Sequence, residues 1–187
     1  DYEMRYGVGL HEEVWDYEDD LLVNGSFDTD ASDWTLGTNI SWHSTAYGVD
    51  FDKVTGGEQL NQDNIPPLVV GETYRITVQV SDHTNSGAEL DGKLVDGDGN
   101  YIQFSGIKWS RTMVFEEELK DLGGSKLDSS FYNRFFIQTT GNTVNGNTPK
   151  FNGSIPKIIV QKRVKATTSR TFNDGGFPSI KSLRNYQ

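Results

Sequence analysis

The sequence contains no cysteine. That absence excludes a disulfide-stapled scaffold, a thiolate metal site and cysteine nucleophile chemistry together. No apolar run approaches the roughly 20 residues needed to span a bilayer as a helix. No signal peptide opens the chain, which begins at Asp1 rather than Met and so leaves room for a segment upstream. Histidine is scarce: His11, His43 and His83 share no metal-ligand spacing and read as surface residues. A nucleophile elbow and a phosphate-binding loop are both missing. Bases are the minority charge, 17 Lys and Arg against 27 Asp and Glu for a net charge of −10, whereas phosphate binding needs concentrated Lys and Arg. These absences predict a protein that is not an enzyme, has no cofactor or metal ligand set, does not insert into a membrane and does not bind nucleic acid.

What is present is aromatic. Hydrophobic residues make up only 34% of the chain, but 12% of it is Phe, Trp and Tyr, and each buried ring removes roughly 150–250 Å² from water. With 20 Gly and turn signals throughout, 187 residues read as one all-β domain with length to spare for arms.

Charge is unevenly placed. Residues 1–20 carry eight acids against Arg5, and they hold Tyr2, Tyr6, Trp15 and Tyr17. Residues 163–187 are basic, with Arg170 and Arg184, and are dotted with Phe172 and Phe177. Disordered tails are usually poor in aromatics, so both ends read as arms built to lie on a neighbour or on their own domain. A solvated leader is the plain alternative for the first.

Between the arms, residues 21–162 read as strands. Leu21 to Phe27 predicts a first strand ending in the Asn24-Gly25 turn and planting Phe27 and Trp34 in a core. Thr35–Trp42 and Ala46–Lys53 follow. The cleanest alternation, Tyr74 to Ser81, sends its even-numbered members inward and Arg75, Thr77 and Gln79 outward. Leu90–Val95 and Tyr101–Phe104 flank Asp96-Gly97-Asp98-Gly99-Asn100, which reads as a hairpin. A helix-flanked calcium loop would need Gly and Glu at its sixth and twelfth positions, where Tyr101 and Ile107 stand. Met113–Leu119, Phe131–Thr140 and Ile155–Val160 complete the set, with Glu116–Leu122 able to form a turn or two of helix. About eight short strands predict an antiparallel jelly-roll sandwich with extended N- and C-terminal arms.

Three blocks carry a resemblance: Leu21-Leu22-Val23-Asn24-Gly25-Ser26-Phe27-Asp28 with Asp33-Trp34-Thr35, then Leu68 to Val78, then Phe151-Asn152-Gly153-Ser154-Ile155. In order and spacing they resemble the carbohydrate-binding-module jelly rolls of the galactose-binding-like β-sandwich type. The resemblance covers roughly residues 21–162. It implies two antiparallel sheets with a concave face or an edge loop available for glycan. It also implies a structural calcium bound near the last block, but the acidic residue associated with that ion is replaced here by Pro156. Such modules occur on polysaccharide hydrolases and in phage tail and capsid-surface proteins.

A glycan site needs rings to stack on sugar faces and amides or Arg to bond hydroxyls. Alternation puts Tyr132, Arg134, Phe136 and Gln138 on one face, and Arg75 and Gln79 join it if the two strands are neighbours. Trp42, Tyr47 and Trp109 lie near loops and are further stacking candidates. A solvated sheet face, and ordinary burial of each ring, are the alternatives. The arms favour a non-enzymatic virion structural protein, a capsid decoration or tail component that is displayed on the virion surface. It would be fixed to neighbouring copies or other virion proteins and could bind cell-surface polysaccharide. The alternative is a carbohydrate-binding module of a secreted polysaccharide-degrading enzyme.

Overall fold

The alternation from Thr73 to Ser81 is realised in full: Tyr74, Ile76, Val78 and Val80 are buried and the residues between them are not. In the computed structural model, which describes residues 15–84, 88–108, 110–123, 133–140 and 150–166, this strand belongs to one of two sheets of an antiparallel jelly-roll sandwich. The strands are β1 (Trp15–Tyr17), β2 (Thr35–Leu36), β3 (Ile40–Ser44), β4 (Gly48–Val54), β5 (Gln59–Gln62), β6 (Thr73–Ser81), β7 (Glu89–Val95), β8 (Tyr101–Ile107), β9 (Thr112–Glu118), β10 (Arg134–Thr140) and β11 (Phe151–Lys165). One sheet runs β3-β4-β11-β6-β9, with β1 paired to β11, and the other runs β2-β5-β10-β7-β8. The described residues contain no helix.

Tyr17–Arg163 forms the unit that holds the sandwich, and Asp1–Asp16 with Val164–Gln187 forms a second. In the second, the Lys165 ammonium lies 5.8 Å from the Trp15 ring centroid.

Rings fill the space between the sheets. Phe27 packs on Trp34 at 5.2 Å, Trp34 meets Phe135 edge-on at 6.0 Å, and Phe135 stacks on Phe104 at 5.9 Å. Phe104 in turn faces Phe115 of the opposite sheet at 5.2 Å. Phe27 and Trp34 therefore sit in the core as their residue types imply, at 0% and 6% exposure.

Their approach to the core is not the expected strand. Residues 21–34 are turns and bends, with Asn24 and Phe27 in the left-handed region (φ 51° and 52°). Such dihedrals interrupt the regular extended backbone of a strand. The buried Gln62 takes the place of a partner strand. Its Oε1 accepts the Val23 N–H at 2.9 Å, and its Nε2 donates to the carbonyls of Val23 (2.8 Å) and Asp33 (3.3 Å). The stretch is anchored to β11 by Leu21 N–H to Val160 O and Ile158 N–H to Gly25 O, both 2.7 Å.

Other departures have equally local causes. The run Thr35–Trp42 is two strands in different sheets, because Asn39 at φ 62° and the bond from Ile40 N–H to Gly37 O turn the chain from one sheet to the other. β5, with Leu60 alone among amides, lacks the apolar alternation that marks a strand. Glu116–Glu118 continue β9 rather than starting a helix. The Asp96–Asn100 hairpin forms as expected: Asp96 Oδ1 accepts the N–H groups of Asp98 (2.9 Å) and Asn100 (2.7 Å). β11 runs through the expected boundary at residue 162. Glu18 N–H likewise bonds Lys162 O at 2.9 Å, and Asp20 Oδ1 accepts Val160 N–H at 2.8 Å, inside the segment read as an arm.

Candidate functional site

The strands carrying the expected glycan face do not lie side by side. β10 sits between β5 and β7, whereas β6 sits between β11 and β9 in the other sheet. Arg134 and Gln138 therefore occupy one sheet, and Arg75 and Gln79 the other. Arg75 is also engaged, with its Nε 3.3 Å from Glu116 Oε1 and its guanidinium 4.3 Å from the Tyr17 ring centroid. Tyr17 donates its hydroxyl to Glu116, which holds the phenol above its usual pKa. This residue, expected to serve assembly, thus lies on its own sheet. Gln79 is exposed. Tyr132 and Trp109 lie outside the described residues, as do Tyr2, Tyr6, Arg170, Phe172, Phe177 and Arg184.

On the five-stranded sheet, Thr35, Asn61, Phe136, Lys93 and Gln103 stand directly opposite one another across five strands. Gln59, Gln138 and Asp91 form the next row, with Gln59 Nε2 donating to Gln138 Oε1 at 3.3 Å. Arg134 Nε lies 2.8 Å from Asp63 Oδ1. This face is polar, but the ring at its centre, Phe136, is 4% exposed. A ring so covered does not offer its face to a sugar.

The geometry with an accessible ring is elsewhere, in a groove of about 570 Å³ over the β3, β4 and β11 end of the six-stranded sheet. Irregularities of pairing shape it. β3 shifts register between Trp42 and Ser44, and β11 does so between Phe151 and Gly153 and again between Ser154 and Lys157. Such bulges bend a strand and re-aim its side chains. Between β3 and β4 the chain turns through Gly48 at φ 67°, where a Cβ would stand 2.2 Å from Ile155 O. This turn presents Tyr47, 43% exposed, with the His43 ring edge-on at 5.0 Å.

Asp50, Asp52 and Asp82 line the same groove, together with Asn152 and Ser154. Ser154 donates its hydroxyl to Asp50, whose Oδ2 is 4.0 Å from His43 Nε2. Asn152 Nδ2 donates to Thr84 Oγ1 at 3.2 Å, which fixes the amide plane. His83 lies on Phe151 at 4.8 Å, and burial lowers its pKa. The groove thus combines an exposed aromatic residue with anchored hydroxyl-bonding groups.

Of these residues only Tyr47 was legible as a candidate. Asp50, Asp82 and Asn152 come from three distant segments, and no local pattern links them. Trp42, also a candidate, is 37% exposed and donates its indole N–H to Phe27 O at 3.3 Å, at the sandwich rim. Among the described residues no group of three or more His, Asp or Glu is arranged to hold a metal ion, and the place of the calcium-associated acid is Pro156. No helix among them is long and apolar enough to cross a membrane.

No protein-family model and no curated protein matches the chain. Solved structures do. The chain is similar to TmCBM61 in complex with β-1,4-galactotriose (12% identity, 80% of this chain and 100% of that one, TM-score 0.46). It is also similar to the xylan-binding module CBM15 (17% identity, 82% and 97%, TM-score 0.45). A third is the xylan-binding domain from CBM 22 (14% identity, 77% and 94%, TM-score 0.38). All three likenesses have TM-scores below 0.5 and at most 17% identity.

Proposed function

We propose that the chain is a non-catalytic glycan-binding β-sandwich whose sugar site is the groove at Tyr47. The observation that carries this reading is that the exposed Tyr47 lines one groove of about 570 Å³ with Asp50, Asp82 and Asn152. A pyranose face of C–H groups stacks on such a ring, and its equatorial hydroxyls donate to carboxylates and exchange bonds with the amide.

Binding to a panel of polysaccharides that includes xylan and β-1,4-galactan fragments, measured by titration calorimetry, tests it. Tyr47→Ala is expected to weaken binding at least about tenfold, or about 1.4 kcal/mol. Asn152→Ala should lose about 0.5–1.5 kcal/mol. Arg134→Ala and Gln138→Ala, on the other sheet, should leave affinity unchanged. The reverse pattern would move the site to the five-stranded sheet, and no binding to any polysaccharide would sink the glycan reading.

The oppositely charged, aromatic ends support a second layer of this reading, in which the sandwich is displayed on a virion as a capsid decoration or tail component. Deleting residues 1–14 and 167–187 keeps β1 and β11 whole. This deletion is expected to abolish attachment to the particle in co-sedimentation. Undiminished attachment would refute it.

A further inference from the structure

We infer that β9 is a self-complementary edge through which two copies of this chain pair as a symmetric dimer. β9 ends its sheet: among the described residues it is paired on one side only, with β6. Val80 N–H bonds Arg111 O (3.0 Å) and Leu119 N–H bonds Glu72 O (2.9 Å), so the odd-numbered residues of this ladder direct their backbone groups toward β6. In an antiparallel ladder the directions alternate. Thr112, Val114, Glu116 and Glu118 therefore aim N–H and C=O at the open edge. Val114, the third residue of the strand, is 50% exposed. A groove of about 320 Å³ runs along this edge between Ser105–Gly106 and Arg111–Phe115.

An open edge is a template for another strand, and natural proteins usually block it with Pro, Lys or like charge. Here the charge pattern selects an occupant instead of excluding all. The C-terminal end of the strand is Glu116, Glu117 and Glu118, and Arg111 precedes its first residue. Parallel pairing in register would set three acids against three acids. Antiparallel pairing about a two-fold axis through Val114 sets Val114 against the partner's Val114 and Thr112 against the partner's Glu116. The same register sets Arg111 against the partner's Glu117, and does so twice by symmetry. Arg111 and Glu117 lie on the same side of the strand, are both exposed, and would meet as a non-hydrogen-bonded pair, whose side chains approach most closely. Val114 and Thr112–Glu116 are then the hydrogen-bonded pairs, which use the backbone groups that face the edge. Shifting the axis to Phe115 leaves Glu117 and Glu118 opposite Met113 and Thr112, with no cation across from them. The interface is isologous, as closed two-fold assemblies require.

Analytical ultracentrifugation of the full chain tests this. The expected result is a concentration-dependent monomer–dimer equilibrium. Arg111→Glu alone and Glu117→Arg alone each place like charges together at two sites, and each should weaken dimerisation at least about tenfold. The double variant R111E/E117R should restore it. Val114→Pro, whose lost N–H faces the open edge, should give a monomer with an unchanged melting temperature. A wild-type chain that stays monomeric at every attainable concentration overturns the inference. So does a dimer that neither single reversal weakens, or that the double variant fails to recover.

Discussion

Replacing Phe135 with alanine is expected to lower the unfolding free energy by about 3–5 kcal/mol, the cost of deleting a buried ring whose surroundings close only partly over the space. Phe135 is fully buried on β10, the middle strand of its sheet. It joins two parts of the core, with Trp34 edge-on at 6.0 Å and Phe104 stacked at 5.9 Å. Since Trp34 is held by the turns of residues 21–34, the cavity would loosen both the sheet and the segment laid against it. At about 2–4 °C per kcal/mol for a domain of this size, the fall in Tm is roughly 6–20 °C. Urea unfolding followed by circular dichroism measures it. Gln138→Ala, three residues along the same strand but facing outward, is the control and should cost well under half as much. Equal losses would mean that the two faces of β10 are not distinguished by burial.

Gly25→Ala carries the second large effect, and for a different reason. A Cβ on Gly25 would stand 2.3 Å from Ile158 O, and the same residue's N–H donates to Gly25 O at 2.7 Å. Two backbones touch here with no flexible side chain to yield. The substitution must push residues 21–28 off β11 and strain the bond that ties them, at about 1–3 kcal/mol for overpacking with the lost bond in addition. Gly57→Ala separates this from ordinary glycine effects. Its φ of 98° makes alanine strained, yet no atom lies within 4 Å of its Cβ. Gly57→Ala should therefore keep native hydrogen-exchange protection at Leu21 and Ile158, and Gly25→Ala should lose it. Retained protection at both amides in the Gly25 variant would contradict the close approach.

The Asn24-Gly25 pair shows where sequence reasoning succeeds and where it stops. A turn at Asn-Gly and buried rings at Phe27 and Trp34 follow from residue type, and both are present. That the preceding residues would be held by Gln62 rather than by a neighbouring strand has no local signature, because the contact spans 39 positions. β6 teaches the same lesson about the site. Alternation assigns Arg75 and Gln79 to its outer face correctly, but a period of two says only which side of its own strand a residue takes. It does not say which strand lies beside it, and β6 is flanked by β11, from the far end of the chain, and β9 rather than by β10.

The sequence by itself determined the all-β class, most strand positions, the inward set of β6, the Asp96 hairpin and the rings of the core. Each of these follows from local periodicity, turn chemistry or the transfer of apolar surface from water. Only the tertiary structure decided the membership of the two sheets, the parting of Arg134 and Gln138 from Arg75 and Gln79, and the groove at Tyr47. It also decided that an edge of β9 is left open. Those outcomes depend on pairings between residues roughly a hundred positions apart, such as Ser154 with Asp50. Their hydrogen bonds run between backbone groups that every residue carries, and no side-chain pattern within one strand encodes its partner.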